Sequence, residues 1–334
     1  MLLLLACVGT RVSEVPVEET WDVRIVDGPW AEGSDIALAA TGPKTLEGQW
    51  QGPAIVMVVW LQEGMLLLTA TFDGGRGWTA PKVVAEELEG PLEVDMALGS
   101  PVVIARRAGH LVRLDRDEGG WVEEDLGAVI AAELANVDGR AVVAWTDEGG
   151  LLIDGDRVYE GEVCGPPAVG SRDRMFVDVA FRARDTEGAV ELVRVTEEIN
   201  DDGDLTWSVT EPLTAGGWQA CPTEAIAMDE GRIFYSDGRS GSRQLWMWDG
   251  EREQVLPTEA GWDVLDVGAA AGMVTWTAES PTEHRMLIEG VSLLTSSERR
   301  YRPGEPSDVA GELWLPFFGL KATVAAYRPP AVLR

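Results

Sequence analysis

Three oxygen-bearing side chains spaced two apart, Asn200, Asp202 and Asp204, are the clearest candidates for metal chemistry in this chain. Alternate residues of a tight loop can converge on calcium. Leu205 stands where such a loop wants glycine, and a purely structural turn explains the same residues; no other cofactor is expected. Cys164 and Cys221 sit in matching settings, Cys164-Gly-Pro-Pro-Ala168-Val and Cys221-Pro-Thr-Glu-Ala225-Ile, each four residues ahead of the alanine of a candidate strand. Equivalent places in consecutive repeats around one axis lie close together, which predicts a disulfide suited to an oxidising compartment. Two small buried thiols are the alternative. Only His110 and His284 are present, and no His/Cys cluster has metal-ligand spacing, so zinc, haem and serine-triad chemistry lack support. With 57 acidic residues, close carboxylate pairs arise by chance and identify no catalytic pair.

The elements that would position these residues repeat. A short apolar strand, a turn, a strongly apolar strand often ending in Trp or Tyr, and a third strand recur along the chain. The most apolar members are Ala54 to Trp60, Val102 to Arg106, Ala141 to Trp145, Met175 to Phe181, Arg232 to Tyr235, Met273 to Trp276 and Glu312 to Leu315. Small-residue strands precede them, from Asp35-Ile-Ala-Leu38 to Asp308-Val-Ala310, and suit the crowded centre of a ring. The pattern predicts an all-β fold, a single β-propeller of seven blades, with six as the alternative because the spacing is uneven. The seventh unit lacks an outer strand, since after Tyr327 the chain runs into Pro329-Pro330. Trp21-Asp-Val-Arg-Ile-Val26 alternates as a half-buried strand with no partner of its own. Placed as the outer strand of the last blade, it closes the ring. The expected division is a signal peptide and tether over 1–20, the propeller over 21–328 and a tail over 329–334.

Composition agrees, with 38 glycines, 18 prolines and 14 tryptophans for many brief strands and tight turns. A formal charge of −30 would repel a nucleic-acid backbone and an anionic membrane surface. Only Lys44, Lys82 and Lys321 are lysines, so the cations are almost all arginine.

Met1-Leu2-Leu3-Leu4-Leu5-Ala6-Cys7 resembles the lipobox of bacterial lipoproteins, without the usual positive n-region and with a short apolar run. The resemblance implies cleavage before Cys7, a lipid on its thiol and a polar tether over Gly9 to Thr20. No other stretch approaches the ~18 apolar residues of a membrane-spanning helix, so attachment is expected by lipid alone.

Thr71-Phe-Asp73-Gly-Gly75-Arg-Gly77-Trp78 resembles the Asp-box of sialidases and other propellers, with Gly77 for the usual threonine. Asn200-Asp-Asp202-Gly-Asp204-Leu-Thr206-Trp207 is a looser copy. The resemblance implies a structural role, the Asp accepting turn amides while the Trp packs between sheets. Gly231 to Gly250 is similar to one repeat of TolB-type propellers, which act as periplasmic interaction platforms. Phe181-Arg182-Ala-Arg184 is the nearest approach to the Phe-Arg-Ile-Pro motif of catalytic sialidases but lacks both Ile and Pro.

The expectation is therefore a non-catalytic, monomeric lipoprotein propeller of the bacterial envelope. It would bind an envelope protein, peptide or glycan, and no nucleic acid, at the mouth of the ring. A sialidase-like glycan-acting enzyme on the same fold is the alternative.

Overall fold

Arg140–Asp147 is paired along both edges and buries every residue from Ala141 to Thr146. A strand covered on both faces reads as an unbroken apolar run rather than an alternation. Ile55–Gln62 and Val177–Arg184 follow the same rule, and each is the second strand of a blade.

The structure is a computed structural model. It describes residues 22–30, 35–41, 45–46, 49–50, 55–73, 75–97, 99–171, 175–200, 202–210, 212–213, 221, 226–229, 231–238, 242–270, 273–288, 291–296, 302–303, 307–309, 312–318 and 322–328. Cys7, the tether, the tail from 329 and Ala225 lie outside them.

Four-stranded antiparallel meanders, inner strand to outer, make the first six blades. The first is Asp35–Thr41, Ile55–Gln62, Met65–Thr71 and Lys82–Ala85. The second is Glu89–Ala97, Ser100–Arg107, His110–Asp117 and Gly120–Ala128, and the third Ala131–Val137, Arg140–Asp147, Gly150–Ile153 and Asp156–Glu160. The fourth is Val163–Ser171, Val177–Arg184, Val190–Ile199 and Leu205–Val209, and the fifth Ile226–Asp229, Arg232–Asp237, Gln244–Trp248 and Glu253–Val255. The sixth is Asp263–Ala270, Met273–Glu279, His284–Ile288 and Val291–Ser296.

The seventh blade is built from both ends of the chain. Glu312–Phe318 pairs inward with two short strands, Arg302–Pro303 and Ser307–Val309, and outward with Ala322–Arg328. Asp22–Val26 then pairs with Ala322–Arg328 from Asp22 opposite Arg328 to Val26 opposite Val324. The ring thus has seven blades, not six, and the N-terminal strand closes it. Among the described residues there is no helix long and apolar enough to cross a membrane.

Neighbouring blades share cores, and alternation along each second strand serves two of them. Val103 and Ala105 face the first blade while Val102 and Ile104 face the third. Polar stitches join the inner strands. Glu93 accepts the Leu134 amide and Asp95 the Asn136 amide, so edge N–H groups of the third blade find partners in the second. Burial pushes the Asp95 carboxyl up, and the amides it accepts oppose that shift. Between the fourth and fifth blades, buried Arg194 pairs with Asp178 and lies 5.5 Å from the Trp248 ring.

Hairpins are capped by side-chain oxygens. The tetrapeptide Asp-Glu-Gly-Gly occurs at 117–120 and 147–150, and in each copy the aspartate Oδ1 accepts both glycine amides, at 2.7–2.9 Å and 2.7–3.0 Å. Gly150 has φ +144°, and a Cβ there would meet the Tyr159 carbonyl at 2.0 Å. Asp147 also binds Arg157 at 2.6 and 2.9 Å, the main reason its carboxyl lies below the usual range.

Two predictions follow from the closure and the caps. A chain starting at residue 31 leaves the edge of Ala322–Arg328 bare; relative to one starting at residue 21, its Tm should fall by about 5 °C or more and it should self-associate on light scattering. An unchanged Tm would mean closure does not limit stability. Asp147 has a depressed native pKa, so its contribution is present above the ordinary carboxylate range and is lost as pH falls through and below it. Asp147→Ala should cost about 1 kcal/mol in denaturant unfolding at pH 7, a cost that shrinks as pH falls through and below the ordinary carboxylate range; a cost independent of pH would contradict this account.

Candidate functional site

The antiparallel meander sorts loops to two ends of the ring. Turns between first and second strands, and between third and fourth, lie at one end; turns between second and third strands, and the links from blade to blade, lie at the other.

Both Asp-box-like segments are at the first end. Thr71 Oγ1 donates to Asp73 Oδ1 at 2.8 Å, and the same oxygen accepts the Arg76 and Gly77 amides at 3.0 Å. These bonds hold the Asp73 carboxyl below its usual range, that from Thr71 first. Gly75, at φ +84°, comes so close that a Cβ would meet Trp314 at 2.8 Å. Trp78 packs edge-on to Trp30 at 4.7 Å and tilted to Trp314 at 6.4 Å. The turn therefore clamps the first blade onto the seventh. In the second segment Asn200, not Asp202, supplies the cap: its Oδ1 accepts the Asp202 and Asp204 amides at 3.0 and 2.9 Å. Asp202 and Asp204 are exposed, and Trp207 packs partly buried in the core shared by the third and fourth blades. Both bonds turn the Asn200 oxygen toward the backbone of its own loop.

The cysteines lie at the other end. Cys164 is buried in the inner strand of the fourth blade, Cys221 precedes that of the fifth, and a disulfide joins them with Cα atoms 4.9 Å apart. Cys221 Sγ lies 3.1 Å from Glu162 and 3.2 Å from Arg184. Glu162, Cys164 and Cys221 form a group close enough to hold a metal, but their sulfurs are spent on the disulfide. Of the Phe-Arg-Ala-Arg segment, Phe181 turns toward Tyr159 and Arg182 is wholly buried, donating to the Ser236 carbonyl at 3.3 Å. It serves the junction of two blades and does not reach an open cleft.

Arginines crowd this second end, and carboxylates or carbonyls take them up. Arg107 pairs with Glu123 and reaches the Glu86 carbonyl at 3.0 Å. Arg184 binds Glu162 at 3.0 Å and the Gly188 carbonyl at 2.7 Å. Two described tyrosines are equally committed: Tyr159 packs on Phe181, and fully buried Tyr235 donates to Glu253.

One cavity opens here, about 100 Å³ in volume. Pro257, Thr258, Glu259 and Trp262 come from the link between the fifth and sixth blades. Below them Val264, Trp276, Ala278 and Leu287 form apolar walls on the sixth. Arg285 lies over the Trp262 ring at 3.9 Å and binds Glu259 at 2.6 Å and Glu283 at 3.2 Å. Sequence reasoning passed over this group. Its signal was faint, a tryptophan in a blade link and an arginine opening the next hairpin.

No family model matches the chain, and no curated protein matches it. Solved structures do. The β-propeller domain of the Trilobed protease from Pyrococcus furiosus is similar over 91% of this chain and 98% of its own, with TM-score 0.53 and 12% identity. That domain is described with an open velcro topology, whereas here the terminal strands pair. Pyrococcus horikoshii acylaminoacyl peptidase gives TM-score 0.44 at 12% identity, over 86% of this chain, which spans about half (51%) of the peptidase. Trypanosoma rangeli sialidase gives TM-score 0.37 at 13% identity, over 91% of this chain and 59% of its own. At such identities the likeness is one of fold: this chain is a β-propeller.

Proposed function

We propose that this chain is a non-catalytic binding propeller of a bacterial cell envelope, tethered by a lipid on Cys7. It takes a protein, peptide or glycan at the end of the ring where the blade links meet. The observation that carries this reading is the cavity beside Trp262 and Arg285, a pocket with apolar residues at its base and a charged rim, at the end of the ring where the blade links meet. The pairing of Arg107, Arg184 and Arg285 with carboxylates supports binding over sialidase-like catalysis, which would need several arginines free to clamp one substrate carboxylate.

Two experiments test it. The soluble chain from Gly9 onward is screened against envelope glycans and cell extracts while free sugar is monitored. Saturable capture without sugar release is expected, weakened about tenfold by Glu259→Lys at the exposed rim and unchanged by Asp202→Asn at the opposite end. Released sugar, or capture indifferent to Glu259→Lys, would overturn the reading. Separately, Cys7→Ser should move the full-length chain from the membrane to the soluble fraction; persistent membrane association would rule out the anchor.

A further inference from the structure

The cavity beneath the link from the fifth to the sixth blade has a shape and a charge that together specify a ligand class. The residues at its base, Val264, Trp276 and Ala278, are apolar and buried. At roughly 30 Å³ per non-hydrogen atom, its volume of about 100 Å³ holds a group of three or four, the size of a branched aliphatic side chain. The part of a ligand that reaches that base meets apolar side chains, which favours an apolar group there.

The mouth carries the opposite preference. Arg285 is held on three sides, by the Trp262 face, Glu259 and Glu283. Two carboxylates against one guanidinium leave one negative charge at the rim. Glu259 is 65% exposed and Glu283 41%, so either can turn to an incoming group at small cost. The charge of the guanidinium is already answered by two carboxylates, which disfavours an anion at the mouth. The chain's formal charge of −30 biases the approach the same way.

From this geometry we infer that the pocket binds a branched aliphatic group carried next to an ammonium, as in the amino-terminal leucine or valine of a peptide. The side chain fills the cavity below Trp262 while the ammonium sits between Glu259 and Glu283. This rests on the binding reading above and adds what the site selects.

Leucinamide, N-acetylleucinamide and N-acetylleucine share one isobutyl group and carry charges of +1, 0 and −1 at neutral pH. Ligand-observed NMR titration of the full chain should rank them in that order, with about a fivefold step for losing the ammonium. Glu259→Gln with Glu283→Gln, which leaves the Arg285 charge unanswered, should abolish or reverse the ranking while leaving the neutral probe's affinity in place. Ala278→Met, checked for an unchanged circular dichroism spectrum, should remove binding of all three. Leu-Gly-Gly-amide binding more tightly than leucinamide identifies a peptide as the ligand; equal affinity identifies a small amine, and the inferred class stands in both cases. Equal or reversed ranking, a ranking that survives the double substitution, or no binding of any probe at millimolar concentration overturns the inference. If the probes fail while capture sensitive to Glu259→Lys persists, only the ligand class falls; if capture fails as well, the binding reading falls with it.

Discussion

The whole ring depends on one pairing, that of Asp22–Val26 with Ala322–Arg328. Each of the other blades is a local meander whose strands are neighbours in sequence, so its hydrogen bonds form over short loops. The seventh blade instead closes a loop of about three hundred residues. That is entropically the most expensive contact in the fold, although the cost grows only logarithmically with length. What offsets it is packing concentrated at the seam. Val26, Trp30, Trp60, Trp314 and Val324 are buried in one cluster with Ile36, Leu38, Val56 and Val58 of the first blade. The turn at Thr71 to Trp78 adds its own tryptophan to the same place. Closure and the first-to-seventh interface are therefore a single event.

Away from the seam, stability is distributed interface by interface, and polar groups decide how each is aligned. An apolar face between twisted sheets tolerates sliding, whereas a carboxylate that must meet a particular amide does not. Glu93 and Asp95 on the second blade meet Leu134 and Asn136 on the third. Arg182 of the fourth meets the Ser236 carbonyl of the fifth. The disulfide joins the same two blades, where Cys221 lies in the blade link and not in a strand. These contacts also explain how a chain of charge −30 keeps its rim compact, because its arginines stand beside the acids that would otherwise repel one another.

Much of this was legible in the sequence, for physical reasons. Second strands such as Ala141 to Trp145 announce themselves because burial on both faces leaves no polar position. The unpartnered strand ending at Val26 was legible because a propeller must dispose of its last edge, and the cysteine pair because matching settings in consecutive repeats lie near one another around the ring, although Cys164 is in a strand and Cys221 in a link. Where geometry rather than residue type decides, the sequence was silent. Asn200, Asp202 and Asp204 all carry oxygens, and only the backbone conformation shows that Asn200 caps the turn. Arg182 looked like part of an arginine motif, but strand parity sends it to the opposite face from Phe181 and into the interface. The cavity was hidden most completely. Trp262 and Trp276 carry the same apolar signature as core residues, and the space beside them is visible only once the link is placed over the sixth blade.

Charges around the ring are spent in two ways, and each occurs at both ends: Asp147 caps a turn at the end of the blade links, and Glu197 pairs with Arg140 at the hairpin end. At the hairpin end, Asp73, Asp117 and Asn200 direct their oxygens at backbone amides of the turns they cap. Those bonds fix the hairpins, and an oxygen so engaged is of little use to a partner. At the end of the blade links, carboxylates meet arginine side chains, as Glu123 does with Arg107 and Glu259 with Arg285. Such pairs sit at partly exposed positions, where exchange for another cation costs little. The first kind of bond is local and comes with the turn that makes it. The second can be exchanged for another cation at smaller cost, and at the end of the blade links one such pair, Glu259 with Arg285, borders an unfilled pocket.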